Sequence, residues 1–245
     1  MSEDNTRLQY SDMILDRFMG TEWSEQERVE TKALDLHALP YMPLDLKISE
    51  KALSKIIEVI NSIDSKNFFY FCEAKDFPVN MEKLTFYGPG DYEKFWRDTK
   101  NAVDIGNFES SQNFNEYKWQ IDIPELKDFV ESIPCNRLYM VESRNSQPGG
   151  KTPVHIDKEK MFHGMYNRIW IPLNWPDGNM FKITGLGDVH IEPGRPIVLN
   201  GNKFPHATMN KGSERRLALI VSADTHCDGF TDLLIRSHKK FLGKM

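Results

Sequence analysis

From Asn136 to Asp224 the chain breaks into short apolar segments separated by turns rich in Gly, Pro and Asn, and this limits its fold more than any other feature. The turns read QPGGK, NWPDG, TGLG, EPGRP, NGN and NKGS. They bound predicted strands near 137–143, 153–157, 167–173, 179–184, 187–192, 195–199, 204–209 and 215–223. Strands this short and evenly spaced predict a closed or double-sheet β architecture, of which a jelly roll is one solution.

The first 135 residues mix helical patterns with short apolar runs. A weak helical stripe covers 24–36. A stronger one in ISEKALSKIIEVINSI places Leu53, Ile56, Ile57, Ile60 and Ile63 on one face, with Ser49 as cap. NFFYFCEA, near 67–74, reads as a buried strand; further helices are predicted after Asp91 and from Pro124, whose ring suits a first helical turn. FTDLLIRSHKKFLGKM reads as a C-terminal helix with a basic end. No linker or repeat separates these parts, so the expectation is one domain over 1–245: an N-terminal part (1–135) packing on a barrel, a core (136–226) and a closing helix (227–245).

Composition narrows the function classes. Apolar residues make up 40% and charged residues 27%, a globular balance, while a net charge of −5 argues against a phosphate-neutralising surface for long nucleic acids. No apolar run approaches the roughly 20 residues that span a bilayer, and MSEDNTRLQYSD lacks a secretory pattern, which predicts a cytoplasmic protein without membrane partners. Cys72, Cys135 and Cys227 are odd in number and widely spaced, which predicts free thiols.

The chemistry concentrates in PVHID and in NGNKFPHATMNKGSERRLALIVSAD. Residues i and i+2 of a strand share a face, so His155 and Asp157 present an imidazole and a carboxylate together. His206 on a later strand is a candidate third ligand, and two histidines with one carboxylate leave three octahedral positions open, as non-haem Fe(II) requires. A three-residue loop at Asn210–Gly212 would form a hairpin placing His206 opposite Arg216, with Thr208, Ala218, Ile220 and Ser222 inward and Leu217, Leu219 and Val221 beneath helices. An inward arginine needs an anion, and a bound dicarboxylate suits it. His190 and Glu192 form a rival His-x-carboxylate pair, but at a strand end beside a Pro-Gly turn. Arg144 and Gln147 are expected on a loop before the metal strand; Trp170 and Tyr139 are candidates for the mouth.

On these motifs the stretch 136–224 resembles the Fe(II)/2-oxoglutarate-dependent oxygenases, whose signature is HxD, a distant His and an Arg about ten residues beyond it. HID, NRIWIPLNW, NGNKFPHATMN and RRLALIVSAD look like the aspartyl/asparaginyl β-hydroxylase and proline hydroxylase branch. The resemblance implies a mainly β, double-stranded β-helix core with flanking helices. It implies His155, Asp157 and His206 on iron, Arg216 on the far carboxylate of 2-oxoglutarate, and Arg168 assisting the cofactor or the substrate carboxylate, while the inward Ser222 is a further cofactor-binding candidate. The activity it implies is hydroxylation of an unactivated C–H bond with O2, releasing succinate and CO2, on a small-molecule or peptide substrate. Aspartyl/asparaginyl β-hydroxylases proper lack the carboxylate ligand, so retention of Asp157 leans towards free amino acids. A nucleotide-directed oxygenase and a non-catalytic cupin-like binding domain are the competing expectations.

Overall fold

The computed structural model describes residues 39–64, 69–70, 81–89, 117–156, 166–201, 203–225 and 227–241. Its elements run β1 (Tyr41–Pro43), α1 (Glu50–Ser62), β2 (Phe69–Tyr70), β3 (Met81–Pro89), β4 (Tyr117–Trp119), α2 (Pro124–Glu131) and β5 (Arg137–Ser146). There follow β6 (Lys151–His155), β7 (Tyr166–Pro172), β8 (Asn179–Ile183), β9 (Gly187–Asp188), β10 (Ile197–Leu199), β11 (His206–Asn210), β12 (Ala218–Asp224) and α3 (Asp228–Phe241).

The larger sheet has the order β1-β10-β7-β12-β5-β3-β2, with β4 added on β3; the smaller is β6-β11-β8-β9. From β5 onward the chain passes repeatedly from one sheet to the other, and neighbours within each sheet are antiparallel. That winding is a double-stranded β-helix, the predicted mainly β jelly-roll class. All eight predicted strands of this region are present, with ends displaced by a few residues.

One predicted pairing is overturned. β11 and β12 do not form a hairpin: β11 lies between β6 and β8, whereas β12 lies between β5 and β7. The residues between them make a crossover bend held by Asn210, whose Nδ2 donates to Glu214 O at 2.7 Å and to Ser146 O at 3.0 Å, while Gly212 N donates to Asn210 Oδ1 at 3.0 Å. His206 therefore stands opposite His155 and Ile183, and Arg216 bridges Ser146.

The predicted face alternation along β12 holds. Leu217, Leu219 and Val221 join Leu84, Phe86, Val141, Ile169 and Ile171 in a core against the helices, while Ala218, Ile220 and Ser222 are buried on the other face. Onto that core α1 brings Ile56 and Ile60, α2 Leu126 and Val130, and α3 Phe230, Leu233 and Leu234, each at helical spacing. Ser49 caps α1 by accepting from Ala52 N at 3.3 Å, and Pro124 opens α2 as expected.

A second apolar cluster, Phe181, Ile183, Val189, Ile191 and Ile197 with Trp170 packed against it, fills part of the space between the sheets. Trp170 stacks on Phe181 at 5.2 Å between centroids, one ring from each sheet.

The sequence reading passed over β3, a nine-residue strand paired with β5. Its alternation sends Leu84 and Phe86 to the helical core but Lys83 and Thr85 inward, so a strand with a charged inner face read as no strand at all. The predicted helices at 24–36 and after Asp91, and most of the 67–74 strand, lie outside the described residues.

Candidate metal centre

His155 ends β6 and His206 opens β11; they are register partners, and their ring centroids are 4.3 Å apart. Each ring is tied to the backbone two residues earlier. His155 Nδ1 lies 2.9 Å from Pro153 O, and His206 Nδ1 lies 3.1 Å from Phe204 O. A carbonyl only accepts, so each Nδ1 carries a proton, and in the neutral ring the lone pair lies on Nε2. Such a backbone tie fixes ring orientation and tautomer in histidines that ligate metals. His206 is 6% exposed, and Phe181 packs edge-on to it at 6.4 Å. Asp157, the expected third ligand, lies outside the described residues, and among those described no group of three His, Cys, Asp or Glu side chains comes together as a metal site.

The level of each side chain along the barrel follows from register. Ile220 pairs with Trp170, which stacks on Phe181, which pairs with Thr208. One step from that level towards the start of β11 lies His206; two residues along β12 in the same direction lies Ser222, opposite Arg168 on β7. The other way, before the start of β12, lies Arg216, bridged to Ser146. Asn210 Nδ2 and Arg216 N donate to the same Ser146 carbonyl, which puts Arg216 level with Asn210, four residues along β11 from His206 and about 13 Å at the usual rise of about 3.3 Å per residue. Arg168 and Ser222 thus share the histidine end, and Arg216 sits at the far end.

Arg216 is 2% exposed, and its Nε and Nη1 have no hydrogen-bond partner among the described residues. Burial pushes the guanidinium down to about 10. An arginine in that position calls for a bound anion, since an unneutralised buried charge costs several kcal/mol, on the order of 3–5 when a partner is missing. Ser222 Oγ is also buried without a partner among the described residues.

Comparison with known proteins adds distant likenesses only. No family model matches the chain and no curated protein matches its sequence. Among solved structures, it is similar to a 2OG-Fe(II) oxygenase family oxidoreductase from Burkholderia pseudomallei, at 10% identity and TM-score 0.46 over 76% of this chain and 85% of that one. A Pseudomonas putida prolyl-4-hydroxylase gives 14% identity and TM-score 0.43 over 79% and 96%. The viral collagen prolyl hydroxylase of Paramecium Bursaria Chlorella virus-1 gives 14% and 0.42 over 75% and 95%.

Along β5 from Ser146, at the level of Ile220, the interior holds a charged group that the sequence reading missed. Lys83 of β3 and Glu142 of β5 form an ion pair with both side chains fully buried, and Arg144 Nε donates to the other Glu142 oxygen at 2.7 Å. Burial acts to raise the Glu142 carboxyl, but Arg144 and Lys83 overcome it and hold it at about 2. Burial draws Lys83 down to about 7 against the opposing pull of Glu142. The available signal was the alternation in MEKLTFYG and MVESRNS, which puts Lys83, Thr85, Glu142 and Arg144 on one face. Arg144 is therefore not on a loop, as expected, but inside β5, where pairing with β3 extends the strand to Ser146. Gln147 follows the strand and donates to Glu82.

The remaining candidates separate. Glu192 is engaged by Lys47 and Arg195, and His190 packs edge-on to Trp175 at 4.9 Å, so the rival pair is spoken for by surface contacts. Trp170 lies in the inter-sheet core, and Tyr139 is covered by the Arg137 guanidinium at 5.0 Å from its centroid. Cys135 and Cys227 are free thiols; Cys72 lies outside the described residues. Among the described residues no helix is long and apolar enough to cross a membrane.

Proposed function

We propose that this chain is an Fe(II)- and 2-oxoglutarate-dependent dioxygenase that hydroxylates an unactivated C–H bond of a free amino acid or a peptidyl side chain. The observation that carries the reading is the His155–His206 register pair, with both Nδ1 atoms committed to backbone carbonyls and both Nε2 atoms basic.

His155 and His206 would hold the metal, with Asp157 supplying the carboxylate two residues along from His155. Arg216 would hold the far carboxylate of 2-oxoglutarate by a charge-assisted bond, which would satisfy its orphaned nitrogens. When bound, Fe(II), 2-oxoglutarate and O2 supply oxidative decarboxylation to succinate and CO2, with the second oxygen atom going to the substrate C–H bond. Arg168 and Ser222, level with the histidines, would orient the substrate or the near end of the co-substrate. Trp170, Phe181 and Ile183 would form an apolar wall limiting water in that space.

The test is incubation with Fe(II), 2-oxoglutarate and O2, with free amino acids and peptides screened by product mass. Succinate formation, basal or substrate-stimulated, supports the reading. Absence of succinate, together with unchanged iron affinity in Asp157→Ala, would leave a non-catalytic barrel instead.

A further inference from the structure

We infer that Asn179 and Arg216 form one carboxylate cradle at the barrel end away from the histidines, and that Asn179 selects a dicarboxylate over a monocarboxylate 2-oxo acid. The inference rests on the reading of 2-oxoglutarate as co-substrate and adds a residue that no sequence motif marked.

Asn179 opens β8 and is the register partner of Asn210 on β11. Alternation from the inward Phe181 and Ile183 places its side chain on the inner face, where Nδ2 and Oδ1 are both buried without a hydrogen-bond partner among the described residues. A carboxamide with neither end satisfied is rare in a folded interior, because each unmet group retains its desolvation penalty.

The second orphan lies next to the first. Asn210 Nδ2 donates to Ser146 O at 3.0 Å, and Arg216 N donates to the same oxygen at 2.9 Å. Arg216 and Asn179 therefore flank Asn210 from opposite sheets, each with inward polar atoms lacking partners. Two such donors, one from each sheet, would suit one planar carboxylate: guanidinium on one oxygen, amide N–H on the other. The placement is rigid. Gly178 has φ +79°, a Cβ there would stand 2.7 Å from Gly212 N, and Lys211 N donates to Gly178 O at 2.9 Å, which pins the start of β8 to the crossover bend.

Calorimetric titration of the full chain with Fe(II), without oxygen, compares 2-oxoglutarate with 2-oxobutyrate, which lacks the far carboxylate. Asn179→Leu should weaken 2-oxoglutarate about tenfold, the loss of one charge-assisted hydrogen bond, and leave 2-oxobutyrate within about twofold. If Asn179→Leu binds both acids as the wild type does while Arg216→Met loses 2-oxoglutarate, the cradle is overturned and the co-substrate reading stands. If wild type binds neither acid, the co-substrate reading fails and the selectivity claim with it. A ligand-free arm tests the juxtaposition alone. Asn179→Asp puts a carboxylate beside the guanidinium and should raise the thermal midpoint, and adding Arg216→Met should reverse the gain; absence of coupling between the two sites would overturn their contact.

Discussion

His155 and His206 are register partners on β6 and β11, and each points its Nδ1 at the carbonyl two residues before it, Pro153 O and Phe204 O. The same local device on two strands sets the two rings 4.3 Å apart at one end of a barrel. Because the tethers are backbone atoms, no side-chain substitution nearby removes them. Replacing either ring with Ala should therefore lower Fe(II) or Co(II) affinity at least about 100-fold, at the upper end of what ligand-shell losses cost, while leaving the fold intact. Co(II) absorption titration reads the affinity and circular dichroism the fold.

Arg216 carries the opposite expectation for stability. Its folded pKa, about 10, lies below the ordinary arginine value, so the folded state holds the proton less tightly than the unfolded state. The resulting penalty is complete at neutral pH and is relieved only as pH rises past about 10. Arg216→Met should raise the ligand-free stability by roughly 1–4 kcal/mol, as replacement of buried charge by apolar volume does. It should also abolish the thermal shift caused by 2-oxoglutarate. Thermal melts with and without the acid check both.

The Lys83–Glu142 pair gives a pH signature. Glu142 titrates at about 2 in the fold against 4.5 ordinarily, so its contribution is present above 4.5 and is lost as pH falls through about 2. Glu142→Gln should flatten that acid limb. It should also destabilise by about 3–5 kcal/mol at pH 7, because Lys83 stays buried beside Arg144 without its carboxylate. Urea unfolding between pH 2 and 7 measures both effects, and Lys83→Met combined with Glu142→Leu should recover most of the loss.

Trp170 and Phe181 join the two sheets through one stacked contact. Trp170→Ala should cost about 3–5 kcal/mol, the usual range for a truncated core aromatic. Denaturant melts give the loss. A cost below about 1 kcal/mol would mean that the sheets are held by other contacts.

Much of this was legible in the residues. The turns from QPGGK to NKGS marked every strand boundary of the core to within a few residues, because Gly, Pro and Asn act locally on backbone angles. The apolar stripes of α1, α2 and α3 were readable for the same local reason. Lys83, Glu142 and Asn179 were not. A charged or polar side chain on a strand reads as solvent-facing until a second sheet is known to cover it, and only the smaller sheet makes that face an interior.

The sequence by itself determined the strand count of the core, the alternation that separates Leu217, Leu219 and Val221 from Ala218, Ile220 and Ser222, and the imidazoles and carboxylate carried by HID and PHATMN. Tertiary structure decided which strands become neighbours. The Asn-Lys-Gly bend serves a hairpin and a crossover equally well, since its own hydrogen bonds are local in both. Burial of distant faces, Trp170 on Phe181 and β12 between β5 and β7, selects the crossover. That choice set His206 beside His155 and sent Arg216 to the far end of the barrel.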